Sequence, residues 1–261
     1  MKKLLLILNL KTMKRILILL YLPLMTWAQT VPLVPGTLGQ TLRHNGTDWI
    51  ATSNLSNDGS IVSTDADMNI NGITVGKGGG NIIFNTASGY KTLYNNTTGS
   101  SNTALGYRAL YLNTTGYNNT ASGYYALYSN TIGDNNTASG NYALYNNTTG
   151  YNNTASGYKA LYFNTIGNQN TALGNYTLYN NTTGNKNTAS GNYALRSNTT
   201  GYNNTASGYY ALYSNTTGYS NTALGYKALR SNTTGNFNTA LGNNSLRYNT
   251  TGYNNTALGY Y

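Results

Sequence analysis

The sequence predicts an all-β fold, a repetitive β-solenoid of 17-residue coils preceded by a small cap that contains a β-hairpin, and three observations carry that reading. The first is the period. The unit N-T-A-(S/L)-G-(Y/N)-x-(A/T/S)-L-(Y/R)-x-N-T-(T/I)-G-x-x begins at Asn85 and returns without a slip at Asn102, Asn119 and so on to Asn255, giving ten full units and a partial one over residues 85–261. A fixed short period marks stacked units that contact their neighbours rather than one large core. The second is glycine at the fifth and fifteenth positions, from Gly89 and Gly99 onward. Two glycines per unit supply two places for positive φ, hence two turns and two short strands per coil. The third is what the unit lacks: 17 residues are too few for a helix pair with its connections, and the segments between glycines are rich in Asn and Thr, which are poor helix formers.

Ahead of the repeats, the opening "MKKLLLILNLKTMKRILILLYLPLMTWAQT" has Lys14-Arg15, a mostly apolar run from Ile16 to Met25 and small or modest residues up to Ala28. That layout predicts a signal peptide over residues 1–28, with a mature chain starting near Gln29. A retained anchor is the competing reading, but Lys11, Lys14 and Arg15 interrupt the apolar stretch and leave fewer than the ~20 residues a span needs. Five basic residues lie in this leader, so cleavage lowers the formal charge of +10 to +5 and leaves no expected membrane span. Export is the predicted fate of the mature chain.

Residues 29–84 read as a separate cap, because they hold Pro32 and Pro35 and four of the five acids. Asn45-Gly46 suits a tight hairpin turn, with Leu42 and Trp49 able to share a face. Met68 and Ile70, then Ile73 and Val75, alternate around a second turn pair, Asn71-Gly72. Two familiar patterns fail here. Asp65, Asp67 and Asn69 have calcium-loop spacing, yet Ile70 stands where the glycine belongs and Gly76 where the bidentate Glu belongs. "VGKGGGN" resembles a phosphate loop, but Gly78 follows the Lys where a hydroxyl residue is required and no helix is predicted next, so a flexible or closely packed joint is expected.

Within the repeats, the third position is always Ala and the ninth always Leu, which makes them the inward-facing core: Ala104 and Leu110, Ala121 and Leu127, Ala155 and Leu161, Ala206 and Leu212 are representative pairs. In a parallel stack each residue sits about 4.8 Å above its copy, so ten coils predict a rod roughly 48 Å long. Asn at the first and twelfth positions can form hydrogen-bonded ladders, and the Tyr-rich sixth, seventh, tenth and sixteenth positions can stack ring on ring. One Leu and one Ala per coil do not offset the entropy of ordering the rest, so contacts between coils must supply the difference, and burial between chains favours an oligomer. A disordered low-complexity segment is the bland alternative, but such segments lack a fixed period with an unvarying Leu.

At "NTALGY", over Asn102 to Tyr107 and Asn221 to Tyr226, and in the form "NTASGY" elsewhere, the repeats resemble the YadA-like heads of trimeric autotransporter adhesins. They are equally similar to N-T-A-x-G repeats of tail-fibre-like bacterial and phage surface proteins, and "GQTLRHNGTDWIATSNL" with "NINGITVGKGGGN" looks like the leader regions of such proteins; together the likeness covers residues 36–261. The resemblance implies a left-handed parallel β-roll, assembly as a homotrimer, a place in the secreted fraction or at a bacterial cell surface on the exterior of the outer membrane, and a role in attachment. This chain departs from the adhesin pattern in having Thr at every second position, Ser at positions such as Ser88, Ser122 and Ser139, and a longer unit.

Catalysis is not expected. The repeats contain no His, Cys or Glu and a single carboxylate, Asp134, so acid–base, metal and two-carboxylate chemistry lack their residues. His44 stands alone beside a turn, and no cofactor or metal is expected. The eight basic residues from Asn85 onward are too sparse for nucleic-acid binding. The candidate ligand contacts are Tyr124, Tyr125, Tyr209 and Tyr210, with Lys91, Arg108, Lys159 and Lys227 at the seventh position attracting anionic glycans; tyrosine with Ser, Asn and Thr gives broad aromatic and hydrogen-bonding contact. The same rings could instead stack only on one another, making a purely structural surface protein with no specific ligand. Ice binding by a flat Thr array at "NTTG" is a further alternative, roughened by Tyr and by Ile132 and Ile166.

Overall fold

The computed structural model describes residues 40–44, 49–57, 62–64, 67–70 and 73–261. The predicted signal peptide, the turn residues Asn45-Gly46 and Asn71-Gly72, and Asp65 lie outside the described residues. The chain forms two units, residues 1–65 and 66–261. In the first, β1 (Gln40–His44) pairs antiparallel with β2 (Trp49–Asn57), setting His44 opposite Trp49, and β2 pairs antiparallel with β3 (Val62–Thr64).

The second unit is a β-solenoid. Strands β4 (Met68–Ile70) and β5 (Ile73–Gly76) form an antiparallel pair, and β5 then lies antiparallel along β6 (Thr86–Tyr90), the strand of the first coil. Strands β4 and β5, in the stretch read from the sequence as part of the cap, thus share a sheet with the repeats, and β5 covers an edge that β6 would otherwise expose. From β6 the sheet is parallel, one three-residue strand per coil, from β7 (Thr103–Leu105) to β16 (Thr256–Leu258). Register is like on like: Thr154 on Thr171 and Ala155 on Ala172. In each strand Ala points inward and its two neighbours outward, the period-2 alternation of a half-buried strand.

The second side of the coil corrects the expectation of two strands. Only one run per coil has strand geometry. Between the sixth and tenth positions the chain instead alternates through the left-handed region: the seventh residue is at positive φ from Lys91 to Asn244, and every ninth Leu, from Leu93 to Leu246, has φ between 50° and 52°. Non-glycine residues in this region cost roughly 1–2 kcal/mol each. The stack offsets that cost by pairing the backbone both ways: Arg108 N–H donates to Tyr90 O of the preceding coil at 2.9 Å, and Leu110 N–H donates to Ala126 O of the following coil at 3.0 Å. Backbone groups are therefore satisfied as in a sheet, without sheet dihedrals.

The glycines divide the work differently from the sequence expectation. The fifth-position glycines do adopt positive φ, 124° to 142° from coil to coil. The fifteenth-position glycines do not; the third left-handed position is the seventeenth, held by Asn, Ser, Gln, Lys or Phe at φ 54° to 57°. Position fifteen needs glycine for space, since a Cβ on Gly116 would lie 2.5 Å from Asn113 Oδ1 and 2.5 Å from Gly133 O.

The core is fuller than one Leu and one Ala. Ala104, Leu110, Ala121, Leu127, Ala155, Leu161, Ala206 and Leu212 are all buried as predicted, and the eighth position adds a second alanine, as at Ala109, Ala126 and Ala160. Around them lie two columns of buried asparagine. Asn130 Nδ2 donates to Asn113 Oδ1 of the preceding coil at 2.8 Å and to Gly133 O at 2.9 Å, and the same pattern recurs from Asn113 to Asn249. In the other column Asn119 Oδ1 accepts from Asn136 N–H at 2.9 Å while Asn119 Nδ2 donates to Gly133 O at 2.8 Å. Each buried carboxamide of these two columns thus uses both ends, which removes the penalty of about 1–3 kcal/mol for an unsatisfied buried group.

The glycine-rich joint is closely packed. Lys77 N–H and Gly78 N–H both donate to the carboxylate of Asp67 at 2.6 Å, and Gly79 N–H donates to Leu93 O at 2.9 Å. The phosphate-loop likeness thus has a physical content, a backbone nest for an anion, but the anion is the chain's own.

Candidate functional site

The outer surface of the solenoid carries two aromatic faces, placed by the turns on either side of the strand. The first comprises positions six, seven and ten. Tyr94, Tyr111, Tyr128, Tyr145, Tyr162 and Tyr179 stack in one unbroken tenth-position ladder with centroids 5.2 to 5.6 Å apart. Tyr90, Tyr107 and Tyr124 form a shorter sixth-position ladder, and Tyr176, Tyr193 and Tyr210 a seventh-position one. Like-on-like register fixes these spacings, because one coil step is close to the offset-stacking distance of two rings.

All eight candidate contacts fall on this face. Tyr124 meets Tyr125 edge to face at 4.5 Å, and Tyr209 meets Tyr210 in the same way at 4.4 Å. Within each pair the sixth-position ring is the open one, 42% exposed at Tyr124 and 43% at Tyr209, while Tyr125 and Tyr210 are half-buried. The four cations fit between the rings. Lys91 lies over Tyr90 and Tyr94; Arg108 lies over Tyr107, Tyr111 and Tyr125 and donates to the Tyr125 hydroxyl at 3.1 Å. Lys159 sits among four rings, and Lys227 is 4.6 Å from the centre of Tyr226. A cation at the seventh position therefore takes the place of a ring in the ladder through cation–π contact.

Crowding of phenols shapes the electrostatics. Desolvation, followed by charge repulsion from neighbouring rings, raises the pKa of Tyr124, Tyr145, Tyr162 and Tyr176 above the ordinary value, although Lys159 opposes this at Tyr162 and Tyr176. At Tyr209 the hydrogen bond with Tyr210 is the leading cause of a rise, ahead of desolvation. These five phenols therefore stay protonated where isolated phenols begin to ionise.

The second face, at positions sixteen and seventeen, was not among the sequence candidates. Its aromatic column is broken: Tyr202 stacks on Tyr219 at 4.8 Å, but Asn168 and Asn185 stand between Tyr151 and Tyr202. The signal was present in the register, since Lys186 is the one repeat cation outside positions seven and ten. Elsewhere on the surface, the "NTTG" threonines are partly engaged, as at Thr148, whose hydroxyl donates to Thr165 O at 3.1 Å. Among the described residues no group of His, Cys, Asp or Glu is placed to hold a metal, and no helix is long and apolar enough to cross a membrane.

The fold and surface together define a class: a β-solenoid with one strand per coil, an asparagine-lined interior and a tyrosine-rich exterior. Compared with family models, curated proteins and solved structures, the chain finds no match.

Proposed function

We propose that this protein is an exported adhesive rod that attaches to cell surfaces or glycans through its tyrosine-rich faces, without catalytic activity, and that it assembles as a homotrimer. The observation that carries the reading is the repetition of open sixth-position rings, Tyr124, Tyr158, Tyr209 and Tyr226, each 39 to 43% exposed on a regular scaffold. Stacked neighbours hold these rings in place, so little side-chain freedom is lost when a sugar ring or another aromatic surface lies against them. Many weak, equally spaced contacts then act together, which suits attachment to a repetitive surface. The ice-binding alternative has less support, because the Thr hydroxyls of position thirteen already donate to backbone carbonyls and Ile132 and Ile166 interrupt the adjacent column.

The test is binding of the full chain to a glycan array and to bacterial and animal cells, alongside a thermal-hysteresis measurement. Retention on cells or sugars that falls when Tyr124 and Tyr209 are both changed to Ala supports the reading. Hysteresis without retention overturns it. Light scattering decides the assembly state independently, and a folded monomer at micromolar concentration removes the trimer alone.

A further inference from the structure

We propose that the break in the sixteenth-position column is a binding site for a carboxylate-bearing oligosaccharide, a claim that rests on the attachment reading and gives it a defined subsite. The break is a groove of about 410 Å³ bounded by Tyr151 at one end and Tyr202 at the other, with Asn168, Asn185 and Lys186 between them. Three coil steps separate the two rings, roughly 14 Å at about 4.8 Å per step, and the volume falls in the range of ~300–1,000 Å³ usual for small-ligand sites.

Three features give the groove its chemistry. First, its end rings are available: Tyr151 and Tyr202 are 44% and 43% exposed, and among the described residues Tyr151 stacks on no other ring and Tyr202 stacks only on Tyr219, on the side away from the groove. Tyrosines without a stacking partner on the groove side offer platforms at both ends for the apolar faces of sugar rings.

Second, the polar groups between them are donors. Asn168 Oδ1 accepts from Tyr151 N–H at 2.8 Å and Asn185 Oδ1 accepts from Asn168 N–H at 2.7 Å. An amide hydrogen requires an oxygen there, so these bonds fix the orientation of both carboxamides and leave their –NH₂ groups for an outside acceptor.

Third, the charge is uncommitted. Seven of the eight basic residues in the repeats lie over a tyrosine ring; Lys186 lies over none and is exposed. The one repeat acid, Asp134, stands on the other side of Tyr151, where it accepts from Tyr117 N–H at 2.9 Å. Two amide donors and one free ammonium between two aromatic platforms match an acidic sugar, whose carboxylate gives the ammonium an ion pair that a neutral sugar cannot form.

The experiment is calorimetric titration of the full chain with a galacturonate tetrasaccharide and with its methyl-esterified, uncharged counterpart. The expected result is binding of the acid form at least tenfold tighter than the ester, weakened at least tenfold by Lys186→Gln and by Tyr202→Ala, and unchanged by Arg247→Gln, which removes a cation committed to the Tyr248 ring. Equal binding of acid and ester, no binding of either at millimolar sugar, or equal losses in Lys186→Gln and Arg247→Gln would each overturn the proposal. The glycan array separates this from the broader reading: a Lys186→Gln protein that keeps its full array profile leaves attachment standing without this groove, whereas a wild-type protein that binds nothing on the array removes both.

Discussion

Asparagine occupies both the interior and the exterior of this solenoid, and its behaviour differs between them. In the buried first and twelfth columns it is present in every coil from Asn85 to Asn255 and from Asn96 to Asn249. In the exposed sixth and sixteenth columns it alternates with tyrosine, as at Asn141, Asn175, Asn192, Asn168 and Asn185. The interior asparagine holds groups that water cannot reach, so its copy in the neighbouring coil and a glycine carbonyl together must complete it. The exterior asparagine accepts one backbone N–H from the preceding coil, as Asn175 does from Tyr158 at 2.9 Å, while tyrosine in the same place leaves that N–H to solvent and stacks instead. A buried asparagine column fixes its residue and an exposed one fixes only that some lateral partner is present.

Changes to register strike the interior hardest. Deleting Leu161 alone shifts every later side chain within its coil and turns inward residues outward, whereas deleting the whole unit Asn153 to Gln169 removes one coil and rejoins like to like. Melts followed by circular dichroism should show a far larger loss for the one-residue deletion. The reverse ranking would mean that stacking in phase is not what holds the rod together.

Point changes inside the coil come next. Gly116→Ala places a Cβ against Asn113 Oδ1 and Gly133 O, and Asn164→Ala leaves Asn147 Oδ1 and Asn181 Nδ2 each short of a partner. Denaturant unfolding should register losses of about 2–4 kcal/mol for each, from overpacking of about 1–3 kcal/mol or more at Gly116 and from about 1–3 kcal/mol per group left unpaired around Asn164. The exterior counterpart, Tyr158→Asn, converts one tolerated state of the sixth column into the other and should stay within about 0.5 kcal/mol of wild type. A loss as large as that of Asn164→Ala would erase the distinction between the two kinds of column.

Alkaline titration sharpens the comparison from the outer side. The folded phenols of Tyr124, Tyr145, Tyr162, Tyr176 and Tyr209 have raised pKa values, so above the unfolded value of about 10 the unfolded chain releases protons more readily than the folded one. Their contribution is complete below that pH and is lost as pH rises through the folded values. The melting temperature should therefore be flat to about pH 9 and decline above about pH 10, with phenolate absorbance lagging behind that of the denatured protein. The smallest expected change is a gain: Ser220→Asn, at a seventeenth position with φ 54°, should recover less than about 1 kcal/mol of the left-handed cost, read as a slight rise in the unfolding midpoint.

The period made the solenoid legible, because an unvarying Ala and Leu at fixed spacing can only be a stacked core, and Asn or Tyr recurring at one position can only meet its copy. The single strand per coil was not legible. Leu and Tyr carry no preference for positive φ, so nothing in Leu93 or Tyr125 announces a left-handed residue; the backbone bonds to coils above and below impose it. The second alanine was hidden by Thr92, Thr177 and Ser245 at the same position, which made a buried column read as polar. The sixth- and seventh-position tyrosines were found because they recur, and the sixteenth-position groove was missed for the same reason: it is an interruption, visible only where a pattern stops.

The twelfth-column asparagines all donate in one direction, each carboxamide nitrogen toward the preceding coil and each oxygen toward the following one, from Asn113 to Asn249. A row of amides aligned head to tail is a wire of dipoles, and each bond polarises the next. That column therefore runs in one direction although its coils are nearly alike, and an asparagine in the middle of the row is polarised by a neighbour on each side where one at either end has a single neighbour. Cutting the row at Asn164 would leave two shorter rows in place of one, so damage there should be felt by coils that never touch the altered residue.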